Sequence, residues 1–190
     1  MLERFLTKKR AQIAIKLIPH THGAGKVLDI GCGTYPYFLL NTGFSEKHGI
    51  DKYGSPVTTQ FDKQKIYIKK VNLENDIILP YDNDYFDVIT MLAVFEHFER
   101  DKLIQILHQV RRVLKPGGLY ILTVPAGWTD RILTIMATFK LVNSDLFSEH
   151  KDVYTHKKIV TLLHMAGFQI EKMRFGYFEI YMNLWIMAIK

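Results

Sequence analysis

One stretch constrains this chain more than any other. Val27-Leu28-Asp29-Ile30-Gly31-Cys32-Gly33-Thr34 is an apolar run that ends in a Gly-x-Gly turn. The run reads as a buried strand, and a short helix is expected near Tyr37 to Leu40. Two glycines let the backbone approach a ligand closely and take dihedrals that other residues resist. Strand, glycine turn and helix in that order make a nucleotide site at the carboxyl end of a first strand. Asp51 ends the next strand candidate, where its carboxylate can accept hydrogen bonds from both hydroxyls of a ribose. Taken singly, a Gly-x-Gly marks a turn and an aspartate caps a helix. The two together point to a nucleoside ligand.

A dinucleotide oxidoreductase is the obvious competitor, and two residues weigh against it. The third glycine of its G-x-G-x-x-G pattern would stand where this chain has Pro36. Asp29 sits just ahead of the turn, where its carboxylate would oppose a pyrophosphate. The same carboxylate suits the ammonium of a methionine moiety, so charge favours a sulfonium amino acid over a diphosphate.

The rest of the chain alternates in the same manner. An amphipathic helix is expected over residues 2–18, with Leu2, Phe5, Leu6, Ile13, Leu17 and Ile18 on its buried side. Short apolar runs at 26–30, 48–50, 66–71, 86–91 and 119–124 are bounded by Gly, Pro, Asn or Asp, as strands usually are. Leu103, Ile106, Leu107, Val110 and Leu114 recur at helical spacing over 101–114, and Pro116-Gly117-Gly118 turns the chain into the next strand. A helix over 157–165 closes at Gly167. Two further strands follow at 168–175 and 181–189, joined through Gly176. That connection is too short for a parallel crossover, so the last two strands should pair antiparallel. Strands alternating with helices imply an α/β fold: a mostly parallel sheet covered on both faces.

With these residues in place, the chain resembles class I S-adenosylmethionine-dependent methyltransferases. VLDIGCGT is similar to the first motif of that family, and Asp51 stands where its ribose-binding acid belongs. The resemblance continues through Asn72-Leu73, LPYDNDYFDVI (79–89), AVFEHF (93–98), RVLKPGGLYILTVP (112–125) and the Gly167-Phe168 turn. It is nearest to the broad type 11 group, which acts on small molecules. It implies a Rossmann-like seven-stranded, mostly parallel sheet with an antiparallel last strand, in a single domain over 1–190. S-adenosyl-L-methionine would be the cofactor, met by Asp29, Gly31, Cys32, Gly33, Asp51, Lys52, Asn72, Leu73, Leu92 and Ala93. One position departs from the family, which usually has an aspartate where this chain has Asn72. An amide oxygen can still accept the adenine amino hydrogen, without the charge.

Methyl transfer is an in-line displacement with a good neutral leaving group. The protein must mainly align donor and acceptor, exclude water and sometimes remove a proton. No nucleophile is required, so Cys32 is expected to fill space between the two glycines. Candidate bases on the carboxyl edge are His97 beside Glu96, after the fourth strand, and His150 and Tyr154, with Asp152 and His156, after the fifth. Each has a plainer role: Glu96 and His97 as a helix start and pocket wall, His150 and Tyr154 as anchors for the helix that follows. His20-x-His22 lacks supporting ligands for a metal site. The apolar segment 127–149, with Trp128, Met136 and Phe139, is expected to cap the site over an acceptor with an apolar part. It could equally cover the core or form a homodimer contact.

The formal charge of +6 is scattered, with one tight cluster at Lys8-Lys9-Arg10. It leaves room for weak contact with an anionic membrane surface but marks no nucleic-acid groove. No apolar run approaches the roughly 20 residues that span a bilayer, and the N-terminus mixes charge into its apolar residues unlike a signal peptide. A single cysteine suits a reducing cytoplasm. The leading expectation is a methyltransferase for a small molecule, such as a lipid or saccharide intermediate. An RNA methyltransferase is the runner-up, though no Asn-Pro-Pro-aromatic loop is present. A non-catalytic cofactor-binding subunit is third, supported only by Asn72.

Overall fold

Six of the seven apolar runs become strands near their expected bounds, and the runs of three- and four-residue spacing become helices. The computed structural model describes residues 2–54, 65–126, 154–179 and 182–190. In chain order the elements are α1 (Leu2–Leu17), β1 (Lys26–Ile30), α2 (Tyr37–Leu40), β2 (Glu46–Asp51), β3 (Ile66–Lys70), β4 (Phe86–Leu92), α3 (Arg100–Val113), β5 (Leu114–Pro125), α4 (His156–Met165), β6 (Met173–Phe178) and β7 (Asn183–Ile189). The cap expected over 127–149 and the candidate base His150 lie outside the described residues.

The strands form one seven-stranded sheet in the order β3-β2-β1-β4-β5-β7-β6. β3, β2, β1, β4 and β5 are mutually parallel. β7 runs antiparallel to both β5 and β6. This is the Rossmann-like sheet with an antiparallel last strand that the resemblance implies. Chain order reverses between β1 and β4, and ligands bind outside the carboxyl ends of strands at such a reversal.

Two apolar clusters sandwich the sheet. One joins α3 and α4 to it through Leu103, Ile106, Leu107, Val110, Ile159 and Leu163. Four of the five apolar positions expected for α3 are thus on its buried face, and the fifth, Leu114, opens β5. The other cluster sits under α1 and α2 and includes Ala11, Ala14, Phe38 and Leu39. There the expected buried side of α1 needs correction. Phe5 is 52% exposed, while Ala11 and Ala14 are buried. Their short side chains let the helix approach the sheet closely, and Lys9 lies 5.4 Å from the Phe5 ring centroid, so that ring is partly covered by a cation. The side chain of Leu2 lies outside the described residues.

The last hairpin also differs from expectation. Ile170–Lys172 forms a 3-10 turn, so β6 begins only at Met173 and runs through Gly176. Gly176 is not the connection between the strands. It faces Trp185 across the pair, and a Cβ there would lie 2.9 Å from the indole. The glycine makes room for the tryptophan.

Candidate functional site

A cleft of about 490 Å³ opens at the carboxyl ends of β1, β2 and β4, and Gly31, Gly33, Asp51, Asn72, Ala93 and His97 are among its walls. Its floor is the turn after β1. Gly31 (φ 75°) and Gly33 (φ 68°) both have left-handed backbones that favour glycine. A Cβ on Gly31 would lie 2.2 Å from Val94, so that glycine lets the turn pack against the end of β4. A Cβ on Gly33 would meet nothing within 4 Å. Gly31 closes the packing, and Gly33 leaves its backbone open to a ligand.

Hydrogen bonds fix the turn to β2. The N–H groups of Gly31 and Cys32 donate to the carbonyl of Ile50 at 2.8 and 3.3 Å. The N–H of Gly33 donates to Oδ2 of Asp51 at 3.0 Å, and the N–H of Tyr53 donates to its Oδ1 at 2.9 Å. The Asp51 carboxylate is therefore pinned at the end of β2, with lone pairs left over on both oxygens. Lys52 and Tyr53 continue that wall.

The third wall follows β3. Oδ1 of Asn72 accepts the N–H of Glu74 at 3.0 Å, and its backbone carbonyl accepts from Asn75 and Asp76. This local turn presents Asn72, Leu73 and Glu74 to the cleft. Opposite them stand Ala93, Val94, His97 and Phe98. Ala93 has a left-handed backbone (φ 54°), held by its N–H donating to the carbonyl of Thr123 at 2.9 Å. A non-glycine residue in that region costs about 1–3 kcal/mol and tends to occur where a ligand is gripped.

Eight of the expected residues line the cleft: Gly31, Gly33, Asp51, Lys52, Asn72, Leu73, Ala93 and His97. Four others stand elsewhere. Asp29 is 4% exposed beneath the turn, and Oγ1 of Thr90 donates to its Oδ1 at 2.7 Å. Burial pushes the Asp29 carboxyl up to about 7; Thr90 opposes that shift and the charge of Asp51 adds to it. The Cys32 side chain points away into the apolar cluster under α2, against Gly49 and Leu39, and burial pushes its thiol up. It fills space, as expected of it, and only its backbone belongs to the turn. Leu92 packs into the same cluster.

Tyr154 is buried edge-on against Phe95, with ring centroids 5.0 Å apart. It borders a separate cavity of about 350 Å³ with Arg100 and Lys158. It anchors the start of α4, where Thr155 caps the helix by accepting the N–H of Lys158. His156 packs on Tyr177, its Nε2 3.0 Å from the carbonyl of Gly176, and braces β6. Glu96 is buried in the 3-10 turn Phe95–His97 that carries His97 to the cleft. Sequence reasoning missed Tyr53, Val94 and Phe98 as site residues and offered Glu74 only as a fallback for the adenine contact. Each lies within two residues of a position that it found, so the signal was proximity and nothing more.

The comparisons with known proteins agree with this geometry. A family model described as a methyltransferase domain matches residues 2–173. A mouse (Mus musculus) protein named Probable tRNA methyltransferase 9B is 32% identical over 101 residues, which is 52% of this chain and 21% of that protein. The chain therefore spans only about a fifth of that relative's length. Among solved structures, a chain in the complex of the Haloferax volcanii Trm112 methyltransferase activator with a methyltransferase superposes with a TM-score of 0.71. It is 17% identical, covering 95% of this chain and 88% of that one. A SAM-dependent methyltransferase from Archaeoglobus fulgidus gives a TM-score of 0.68 at 16% identity, covering 97% of this chain and 94% of that one.

Proposed function

The chain belongs to the family of S-adenosylmethionine-dependent methyltransferases, and from that premise we propose that its acceptor is a small molecule. The cofactor supplies an activated methyl group on a sulfonium. The residues present fit it: Gly33 offers an open backbone, the pinned carboxylate of Asp51 would take the ribose hydroxyls, and Asn72 and Leu73 would meet the adenine. The chain's own task is then to orient the two reactants and exclude water. The apolar walls Val94 and Phe98 serve the second.

The observation that carries the choice of acceptor is the charge around the cleft. On a chain of formal charge +6, the described residues that line the cleft include Asp51 and Glu74 against Lys52. A polyanion is gripped by clustered lysines and arginines, so this rim suits a neutral or cationic molecule better than RNA. One observation favours the second reading, a tRNA acceptor: the 32% identity to the mouse protein over half of this chain.

Release of S-adenosylhomocysteine reports turnover whatever the acceptor. The assay would set pooled amines, alcohols, saccharides and lipid headgroups against unmodified tRNA. Turnover with a small-molecule pool and none with tRNA is expected. Turnover with tRNA alone would overturn the proposal.

A further inference from the structure

Among the described residues, three side-chain oxygens at the carboxyl edge, on the sheet face that α1 covers, meet no donor. Thr123 of β5 lies opposite Trp185 of β7, and Pro125 lies opposite Asn183. Alternation along a strand puts Thr123 and Asn183 on one face, that of Ile121 and Met187, which packs with Ala11 and Ala14. Thr123 is 0% exposed and Asn183 4%. Among the described residues, Oγ1 of Thr123, Oδ1 of Asn183 and Oε1 of Glu179 have no hydrogen-bond partner.

Glu179 is tied to the pair. It follows β6 in a left-handed conformation (φ 51°), and Nδ2 of Asn183 donates to its Oε2 at 2.8 Å. That bond orients the amide and leaves Oδ1 of Asn183 as an acceptor. Burial pushes the Glu179 carboxyl above its ordinary value, while the charges of Arg10 and Lys9 and the Asn183 amide pull it back. Protein interiors leave few polar atoms unmet, and a group of them on one face points to a partner that donates.

The place matters as much as the chemistry. Thr123 pairs with Leu92 at the end of β4, and its carbonyl receives the N–H of Ala93 in the cleft wall. β7 lies two strand spacings from β4, roughly 10 Å along the sheet edge.

Resting on the small-molecule reading above, we propose that Glu179, Asn183 and Thr123 bind a primary ammonium group of the methyl acceptor. An ammonium carries three donors and no acceptor, which matches three waiting oxygens. The carboxylate supplies its counter-charge. An alcohol brings one donor and would leave two of the oxygens unmet. The three residues anchor the acceptor and take no part in bond making.

The test uses ¹⁵N-labelled full-length protein saturated with S-adenosylhomocysteine and titrated separately with propylammonium, propanol and propanoate. The probe is the side-chain amide of Asn183, assigned by its absence in Asn183→Leu. A saturable shift with propylammonium and none with propanoate is expected. Glu179→Gln should weaken the apparent affinity at least ten-fold, and Thr123→Val should weaken it less. An equal response to propanol, or no response to any probe (the result a buried water would give), overturns the proposal. The two readings fail separately. Turnover with tRNA strikes the small-molecule acceptor, whereas normal S-adenosylhomocysteine binding with an unresponsive Asn183 strikes the ammonium site alone.

Discussion

The N–H of Gly33 donates to Oδ2 of Asp51 at 3.0 Å, joining the turn after β1 to the end of β2. The other oxygen of that carboxylate accepts from Tyr53 at 2.9 Å. One side chain therefore sets two walls of the cleft and keeps lone pairs on both oxygens, which the proposed ribose contact would use.

Asp51→Ala should weaken S-adenosylmethionine binding by about 2–3 kcal/mol, the range for hydrogen bonds to a charged group. That corresponds to a dissociation constant raised roughly 30- to 150-fold by calorimetry. The fold should survive, because the residue ends a strand and is half-buried. Asp51→Asn keeps one acceptor oxygen and should fall between. An unchanged constant in a folded Asp51→Ala protein would remove Asp51 from the site.

At the opposite end of the sheet, Oε1 of Glu46 accepts from Tyr85 at 2.5 Å and lies 2.6 Å from Nε2 of His48, while Lys26 lies 3.3 Å from Oε2. Burial alone would raise the Glu46 carboxyl, but these three partners outweigh it and bring it down to about 2. A depressed carboxyl contributes stability that is fully present above its ordinary value near 4.5 and lost as pH falls toward 2. Tyr85→Phe should cost about 1 kcal/mol at pH 7, a value kept low because the group is partly exposed. The gap in urea midpoint between wild type and variant should narrow between pH 5 and pH 3. A gap that stays constant with pH would show that Tyr85 acts by packing alone.

Gly176 and Trp185 should behave as a coupled pair. Gly176→Val places methyl groups where the indole lies, and overpacking of this kind costs about 1–3 kcal/mol. Trp185→Leu empties that space at its own cost. In the double variant the two losses should fall short of their sum by at least 0.5 kcal/mol, the mark of residues in contact. Strict additivity in thermal or urea melts would mean that the glycine serves some other purpose.

How much was legible in the sequence follows the distance over which each feature is determined. The Gly31–Gly33 turn and Asp51 could be read because a left-handed turn and a strand-end acid are local demands on residue type. Gly176 was misread because its reason lies across the strand pair in Trp185. Ala11 and Ala14 were passed over since a pattern search weighs large apolar residues, while close approach of α1 to the sheet selects small ones. Asp29 was rightly placed before the turn, but its burial under Thr90 depends on β1 pairing with β4. The Thr123, Asn183 and Glu179 group could not be found at all. Its members come from three segments that only the antiparallel register of β5, β7 and β6 brings to one face.

Asn72 is where the chain departs from its family, and the structure gives its side chain a second task. Oδ1 accepts the N–H of Glu74 at 3.0 Å, which holds the turn presenting Leu73 and Glu74 to the cleft. An amide oxygen has two lone pairs, so this bond leaves one for an adenine amino group. Asn72→Asp keeps the turn and adds charge, so it should preserve or tighten cofactor binding. Asn72→Leu loses both bonds and should weaken binding by about 1–2 kcal/mol. Asn72→Ser separates the two tasks, because a serine hydroxyl can hold the same turn but reaches less far. If the adenine is touched, Ser should bind the cofactor as weakly as Leu in calorimetric titration. Should Ser match the wild-type chain while Leu does not, Asn72 acts through the turn alone. The adenine amino group must then find its acceptor elsewhere, with the exposed Glu74 and Asp76 as the nearest carboxylates.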